Sequence, residues 1–185
     1  MKRTYLVLFC AVILSGTIFS QSLSFGPQFG FVKTKDAAKS VTMPGGAIRI
    51  NLGGLGIEGS MYYKKDDYNY TVGTVTSTIT TKTYPIMLTG LFKILPIAHA
   101  EVGIGWYNTK IDYSKLSTAW ASIKEETKND FAYHVGAGAE IPVGSFIITG
   151  DVRYVFYELK LDELTQPKNL KSDFYAIMVG VMLKL

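Results

Sequence analysis

The two histidines of the chain, His99 and His134, are the side chains best suited to acid–base or metal chemistry. A hydrolytic histidine needs a hydroxyl or thiol nucleophile beside it and a carboxylate to orient its ring. The only cysteine, Cys10, lies in an apolar stretch at the amino terminus, which leaves the rest of the chain without thiol chemistry or a cysteine-based zinc site. The histidines fall on separate predicted strands, with no recognised metal-ligand spacing. The sequence therefore predicts no enzyme, no metal site and no cofactor.

Nine charged or titratable side chains share one face of the predicted strands and form the principal candidate site. They are Arg49, Glu58, Lys93, His99, Glu101, His134, Glu140, Asp151 and Arg153. Both signs of charge occur in this set, and an unpaired charge in a confined, poorly hydrated space costs free energy. If the strands enclose an interior, we expect these side chains to fill it with ion pairs and hydrogen bonds.

The elements that carry these residues are strands in which apolar residues alternate with small or polar ones. From Tyr175 to the last residue, Leu185, the odd positions after Tyr175 are Ile, Val, Val, Leu and Leu, while the even positions are Ala, Met, Gly, Met and Lys. Similar alternation recurs in seven further segments, which begin near Leu23, Ile48, Leu55, Ile86, Ala100, Tyr133 and Ile148. A period of two predicts strands with two different faces. About eight strands of roughly ten residues have the length that a tilted strand needs to cross a bilayer.

The predicted connections alternate between short and long. Short turns are predicted at 53–54, 94–97 and 142–145, and long polar segments at 33–44, 65–83, 108–130 and 158–172. Such a meander has its turns at one end and its loops at the other. Residues 71–83 alternate enough to extend two strands beyond the membrane, where their edges could pair with a partner chain. Residues 114–130 have the composition of a short amphipathic helix.

Aromatic residues cluster at the strand ends next to the long segments. Nine of them are predicted to form an interfacial girdle: Phe29, Phe31, Tyr63, Tyr84, Trp106, Tyr133, Tyr154, Phe156 and Tyr175. Tyr62, Tyr107, Phe131 and Tyr157 sit at the same ends and are grouped with them.

Residues 1–20 have the features of a secretory signal peptide. Lys2 and Arg3 precede an apolar stretch of roughly ten residues, which is followed by a short segment rich in small residues. Cleavage is predicted after Ser20, or alternatively after Ser22, and leaves 21–185 as a single domain. A retained anchor helix is the other interpretation, although the stretch is short for a spanning helix. Removal of Lys2 and Arg3 leaves 17 of the 19 basic residues against 15 acidic residues. The resulting formal charge of +2 gives no support to nucleic-acid binding.

A strand period of two also occurs in soluble barrels of the lipocalin type, whose apolar face points inward. Here the other face is rich in glycine, as at Gly103, Gly105, Gly136 and Gly138. Glycine is unfavourable in an open strand unless something approaches closely, as in a narrow eight-stranded lumen. The predicted fold is therefore all-β, an eight-stranded antiparallel up-and-down transmembrane β-barrel. A soluble carrier remains the alternative.

From Leu23 to Leu185 the chain resembles the small outer-membrane β-barrel superfamily that includes the OmpA transmembrane domain and OmpX. The resemblance rests on residues 131–140 (FAYHVGAGAE), residues 150–154 (GDVRY) and the terminal alternating strand. It implies a bacterial outer-membrane location, contact with outer-membrane lipid and insertion by the barrel-assembly machinery. Leu185 departs from the Phe or Trp with which many such proteins end.

The resemblance implies function only in general terms. We expect a structural or surface-interaction role, by adhesion or binding through the long extracellular segments. The alternative is a narrow, porin-like channel for small solutes, gated by lumenal ion pairs as the resemblance implies for some relatives. Barrels of this size that deacylate lipid place a serine two residues after a histidine. Gly136 and Glu101 occupy those positions here, which disfavours catalysis.

Overall fold

The computed structural model describes residues 21–34, 39–72, 75–112, 125–161, 168–171 and 173–185. The predicted signal peptide lies outside these residues, so its cleavage stays a prediction. Within the described ranges, no helix is long and apolar enough to cross a membrane.

The described residues form strands of 4 to 19 residues, numbered here along the chain. They are β1 Gln21–Thr34, β2 Val41–Leu52, β3 Leu55–Tyr62, β4 Lys64–Val72, β5 Val75–Lys93, β6 Ala98–Asp112, β7 Glu125–Val143, β8 Phe146–Phe156, β9 Glu158–Leu161, β10 Lys168–Lys171 and β11 Phe174–Lys184. The short β9 and β10 pair only with each other among the described strands.

The remaining strands close into a barrel. Each pairs antiparallel with its neighbours in the order β3-β2-β1-β11-β8-β7-β6-β5-β4, and β3 also pairs with β5, with Ile57 opposite Gly90. Strands β3 and β4 are two parts of one strand of the barrel wall, interrupted at Tyr63. The wall therefore consists of eight strands. Closure leaves no free edge within the wall, which satisfies the backbone hydrogen bonds that lipid cannot provide. The predicted fold class is confirmed.

Short turns join the strands at one end of the barrel, as predicted. Gly53 and Gly144 adopt positive φ angles of 73° and 60° in the tightest turns, a conformation that residues with a side chain rarely adopt. Residues 94–97 make the third short connection. The amino end of β1 and the carboxyl end of β11 meet at this same end, where the Leu185 amide donates to the Leu23 carbonyl at 2.8 Å.

At the opposite end, the strands extend beyond the predicted wall, as the sequence indicates for residues 71–83 but not for β6 and β7. Strands β4 and β5 remain paired from Lys64 opposite Thr83 to Val72 opposite Val75, and β6 and β7 remain paired as far as Asp112 opposite Glu125. The predicted helix at 114–130 is therefore wrong for residues 125–130, which belong to β7, while residues 113–124 lie outside the described part. Cross-strand pairing with β6 stabilises this segment as a strand, a long-range contact that local helical periodicity does not reveal.

The two faces of the barrel wall are opposite in character. Large apolar side chains such as Ile48, Val152 and Ile177 are more than half exposed on the outside, whereas Arg49 and Glu58 are fully buried inside. This distribution is the reverse of a soluble barrel and matches a wall that faces lipid. The outer half of the interior is filled mainly by apolar and aromatic side chains, and the half near the short turns is filled by charges.

Candidate functional site

The structure places eight of the nine predicted interior residues on the inside of the barrel, where they are buried: Arg49, Glu58, His99, Glu101, His134, Glu140, Asp151 and Arg153. Strand alternation accounts for this, because a period of two sends alternate side chains to the same face. Lys93 has the same parity but lies at the rim beside the turn at 94–97, with a side chain 31% exposed and its Nζ 3.8 Å from Oε2 of Glu140.

Arg49 is the first centre of the buried network. Its Nε donates to Oε2 of Glu58 at 2.6 Å, its Nη1 to Oε1 of Glu140 at 3.0 Å and its Nη2 to Oδ2 of Asp151 at 2.7 Å. The three carboxylates come from β3, β7 and β8, while Arg49 belongs to β2. One guanidinium therefore ties together strands from different sides of the barrel, because its planar fork can address three acceptors at once.

Arg153 is the second centre and is joined to the first through Glu58. Its Nε donates to Oε2 of Glu101 at 2.6 Å, and its Nη2 donates to Oε1 of Glu58 at 2.9 Å. Glu58 thus binds a different arginine with each carboxylate oxygen. The two arginines and their carboxylates form one continuous network across the lumen, which we call the lumenal ion-pair network.

His99 completes the network. Its Nε2 lies 3.0 Å from Oε1 of Glu101 and 3.2 Å from Oδ1 of Asp151, so this nitrogen acts as a hydrogen-bond donor to both carboxylates. The three residues hold their ligand-type atoms within 4.8 Å of one another, a grouping that sequence spacing did not reveal because β6 and β8 are separate strands. Arg49 and Arg153 already supply positive charge to the two carboxylates, and the cluster is therefore best described as part of the ion-pair network.

His134 has a different environment. Its Nε2 lies 2.9 Å from Oγ1 of Thr89, and within the described residues its Nδ1 has no hydrogen-bond partner. Thr89 was not among the predicted site residues, because a histidine on β7 and a threonine on β5 have no informative spacing. The hydroxyl–imidazole pair lacks the carboxylate that orients a hydrolytic histidine, and both residues are fully buried. The Thr89–His134 contact is therefore a hydrogen bond inside the barrel.

Interior glycines make room for the network. A Cβ atom on Gly138 would lie 2.7 Å from Nε2 of His99, and one on Gly136 would lie 3.0 Å from Oε2 of Glu101. Both separations are shorter than ordinary carbon contacts. The glycine-rich face that favoured a crowded lumen therefore lies where charged side chains cross it.

The outer half of the interior is closed by aromatic packing. Tyr107 stacks on Tyr157 with ring centroids 4.9 Å apart and meets Phe174 edge-on at 6.3 Å. The hydroxyl of Tyr62 donates to Oε1 of Gln28, whose Nε2 donates to Glu58 at 3.4 Å and connects this layer to the ion-pair network. The grouping of Tyr62, Tyr107 and Tyr157 with the outer aromatic residues is therefore wrong, since all three point inward. Their positions have the same parity as the buried charges on their strands, which is the physical reason.

The nine predicted girdle residues lie on the outer wall, where seven are exposed and Tyr63 and Tyr154 are partly exposed. Phe131 also faces outward, 5.7 Å from Trp106 and 5.2 Å from Tyr133 between ring centroids. Tyr154 lies 4.5 Å from Tyr175. Aromatic rings in such a band are favoured where hydrocarbon meets headgroups.

A family model, described as the outer membrane protein beta-barrel domain, matches residues 13–182. The chain belongs to this family. Membership confirms the predicted resemblance and the bacterial outer-membrane location, and it agrees with the closed barrel and apolar outer wall described above. None of the curated proteins matches the chain.

Solved structures of outer-membrane barrels share the fold. OprG from Pseudomonas aeruginosa is 12% identical with a TM-score of 0.64, covering 90% of this chain and 96% of its own. A major outer membrane protein from Thermus thermophilus is 13% identical with a TM-score of 0.61, covering 88% and 99%. Neisserial surface protein A is 9% identical with a TM-score of 0.55, covering 88% and 97%. At such identities, the likeness concerns the fold alone.

Proposed function

We propose that this family member acts at the cell surface, as a structural barrel whose outer strands and loops bind an extracellular partner. The observation that carries the proposal is the combination of a filled interior with a long outer hairpin. Arg49 and Arg153 bind carboxylates from several strands and so fill the lumen. A partner would therefore bind to the outer surface. A rigid barrel that holds exposed segments is a common support for recognition.

The hairpin of β4 and β5 is the part of the surface best suited to a partner. It continues for nine register pairs, from Lys64–Thr83 to Val72–Val75. The last backbone bond between its base and β2 runs from the Tyr63 amide to the Pro44 carbonyl at 2.9 Å. Beyond this point, β4 pairs only with β5, so its other edge offers backbone groups that none of the described strands pairs with. Such an edge can add a strand from a partner chain.

Attachment of intact bacteria to plates coated with serum protein tests the proposal. In one variant, residues 69–78 are replaced by Asn-Gly, which joins Tyr68 to Ile79 in a short hairpin and keeps the buried Ile79 and the pairing of Thr80 with Asp112. We expect attachment to fall towards that of cells without the protein. The control is Lys184→Gln, at the opposite end of the barrel. Unchanged attachment, with the shortened barrel still folded by its heat-dependent gel mobility, would overturn the hairpin as the binding element.

A narrow channel is the second candidate, and one observation favours it. Glu58 is shared by Arg49 and Arg153, so exchange of partners within the network would rearrange the lumen without creating an unpaired charge. Planar-bilayer recordings separate the two candidates. We expect stable insertion without discrete current steps from the unmodified protein. Reproducible steps that change size in Glu58→Gln would support the channel and contradict the closed interior.

We also propose how the barrel is assembled, and that the protein is not an enzyme. We propose that the barrel-assembly machinery inserts the protein. Outer-membrane lipid then surrounds the apolar wall. The buried Thr89–His134 pair gives no support to an enzyme, because it lacks an orienting carboxylate and exposure to substrate.

A further inference from the structure

Three lysines form a row on the outer wall of the barrel. Lys65 of β4 lies directly opposite Lys82 of β5, and Lys82 lies directly opposite Lys110 of β6. All three side chains are exposed. Like charges directly opposite one another on neighbouring strands repel and destabilise the sheet. We call this set the lysine row.

The row carries no ion pair within the described part of the chain. Within the described residues, none of the three ammonium groups has a carboxylate within 4.0 Å. The nearest acidic side chain along β4 on the same face, Asp67, accepts a hydrogen bond from Oγ1 of Thr80 at 2.7 Å. The row is therefore a compact cationic patch suited to an anion supplied from outside.

The height of the row places it at the membrane surface. The next residues on the same outer face, two positions closer to the short-turn end than the lysines, are Tyr63, Tyr84 and Asn108. Tyr63 and Tyr84 contact each other with ring centroids 5.4 Å apart and belong to the interfacial girdle. Two residues span about 6–7 Å along a strand. The lysine row thus lies immediately beyond the girdle, at the depth of lipid headgroups.

Below Tyr63 and Tyr84, an apolar groove of about 890 Å³ opens on the same side of the barrel. Its floor contains Pro27, Gly46 and Gly59, which lie on β1, β2 and β3. Pro27 is directly opposite Gly46, while Gly59 is opposite Ile48. A Cβ atom added to Gly59 would meet nothing within 4 Å, so local packing does not require glycine there. Its effect is to leave space on a wall that otherwise carries large side chains.

The groove and the lysine row share the same wall strands. Met61, Ile86 and Trp106 line the groove and lie four residues from Lys65, Lys82 and Lys110, respectively, on the same outer face. An amphiphile in the outer leaflet can therefore place anionic groups on the row while an acyl chain extends past the girdle into the groove. A second barrel would fill the groove but would leave the row without a counter-charge.

We infer that this wall binds the phosphorylated glycolipid of the outer leaflet, lipid A, with its phosphates on Lys65, Lys82 and Lys110 and an acyl chain over Gly59. Phosphate suits the row because it can accept hydrogen bonds from several ammonium groups at once. Each lysine near an anionic membrane surface contributes enough to change affinity roughly fivefold. Loss of all three is therefore expected to weaken binding on the order of a hundredfold.

The test uses the protein purified from outer membranes and placed in phosphatidylcholine nanodiscs containing defined amounts of lipid A, with retained lipid counted by native mass spectrometry. The charge variant is K65Q/K82Q/K110Q, and the groove variant is Gly59→Leu, which fills the floor where there is room. The matched control is Lys33→Gln, an exposed lysine of β1 outside the row. Heat-dependent gel mobility verifies that every variant is folded.

We expect lipid A retention to fall in both the charge and groove variants and to be unchanged in Lys33→Gln. Lipid A from which both phosphates have been removed should bind the unmodified protein as weakly as lipid A binds the charge variant. Equal retention by the unmodified protein and the charge variant would overturn the inference. So would equal binding of phosphatidylglycerol and lipid A. Neither result depends on surface attachment through the β4–β5 hairpin.

Discussion

Arg49 inside the barrel and Lys82 on its outer wall are both cations on membrane-spanning or adjoining strands, yet their surroundings are opposite. Arg49 donates to three carboxylates within 3.0 Å, whereas Lys82 faces a lysine on each side. Charges that are enclosed must be neutralised by the protein itself because no solvent reaches them. Charges at the membrane surface can be left for a ligand to neutralise. The comparison separates residues that hold the barrel together from residues that are free to bind.

The largest effect should come from removing the carboxylate that joins the two buried arginines. Glu58→Gln keeps the side-chain size but leaves Arg49 and Arg153 short of one negative charge. Breaking a buried ion pair in this way costs about 3–5 kcal/mol. We expect a loss of that size in the free energy of unfolding, measured by urea titration in phospholipid vesicles. Asp67→Asn, on the exposed hairpin, is the control and should change it by less than about 0.5 kcal/mol. Similar values for the two variants would refute a structural role for the network.

An intermediate effect should follow when the space around the network is filled. A methyl group on Gly138 would press on His99 and Asp151, and overpacking of this kind costs about 1–3 kcal/mol. Gly138→Ala should lower the urea midpoint accordingly. Gly150 lies on the next strand, and a Cβ there would meet nothing within 4 Å, so Gly150→Ala should be neutral or slightly stabilising. Equal destabilisation would mean that crowding by the charges is not the cause.

The smallest effect should come from the outer wall. Neutralising Lys82 with Gln removes two like-charge contacts and should raise the free energy of unfolding by about 0.2–1 kcal/mol. Salt screens exposed charges, so the gain should shrink as ionic strength rises. Urea titrations at low and high salt measure it in lipid that carries no phosphomonoester. A loss of stability in Lys82→Gln would contradict the claim that Lys82, unlike Arg49, is repelled by its neighbours.

Strand alternation was sufficient to predict most of the architecture. It located the wall strands, and the short links between them at 53–54, 94–97 and 142–145 located the turns. It also gave the inward parity of Arg49 and Glu58. The errors arose where local pattern and long-range pairing disagree. Residues 125–130 pair with β6 and form a strand, despite a composition that suited a helix.

The outer aromatic residues show a second limit of local reasoning. Clustering near strand ends identified the girdle, but it also collected Tyr62, Tyr107 and Tyr157, which point inward. Parity, applied consistently, distinguishes them from Tyr63, Phe131 and Phe156. Thr89 was missed for a different reason: a single threonine on a strand carries no signal until the histidine opposite it in space is known.

By itself, the sequence determined a two-faced wall long enough to cross a membrane, because the side chains of a strand alternate and lipid selects the apolar face. It also determined the inward parity of eight of the nine predicted interior residues, but not that Lys64 and Asp66 of β4 are buried as well. Only the tertiary structure decided which carboxylate each arginine binds, that Glu58 joins the two centres, and that three lysines far apart in the chain form one row. These features depend on the register between strands and on closure of the barrel, which bring residues together across sequence distances that no local pattern encodes.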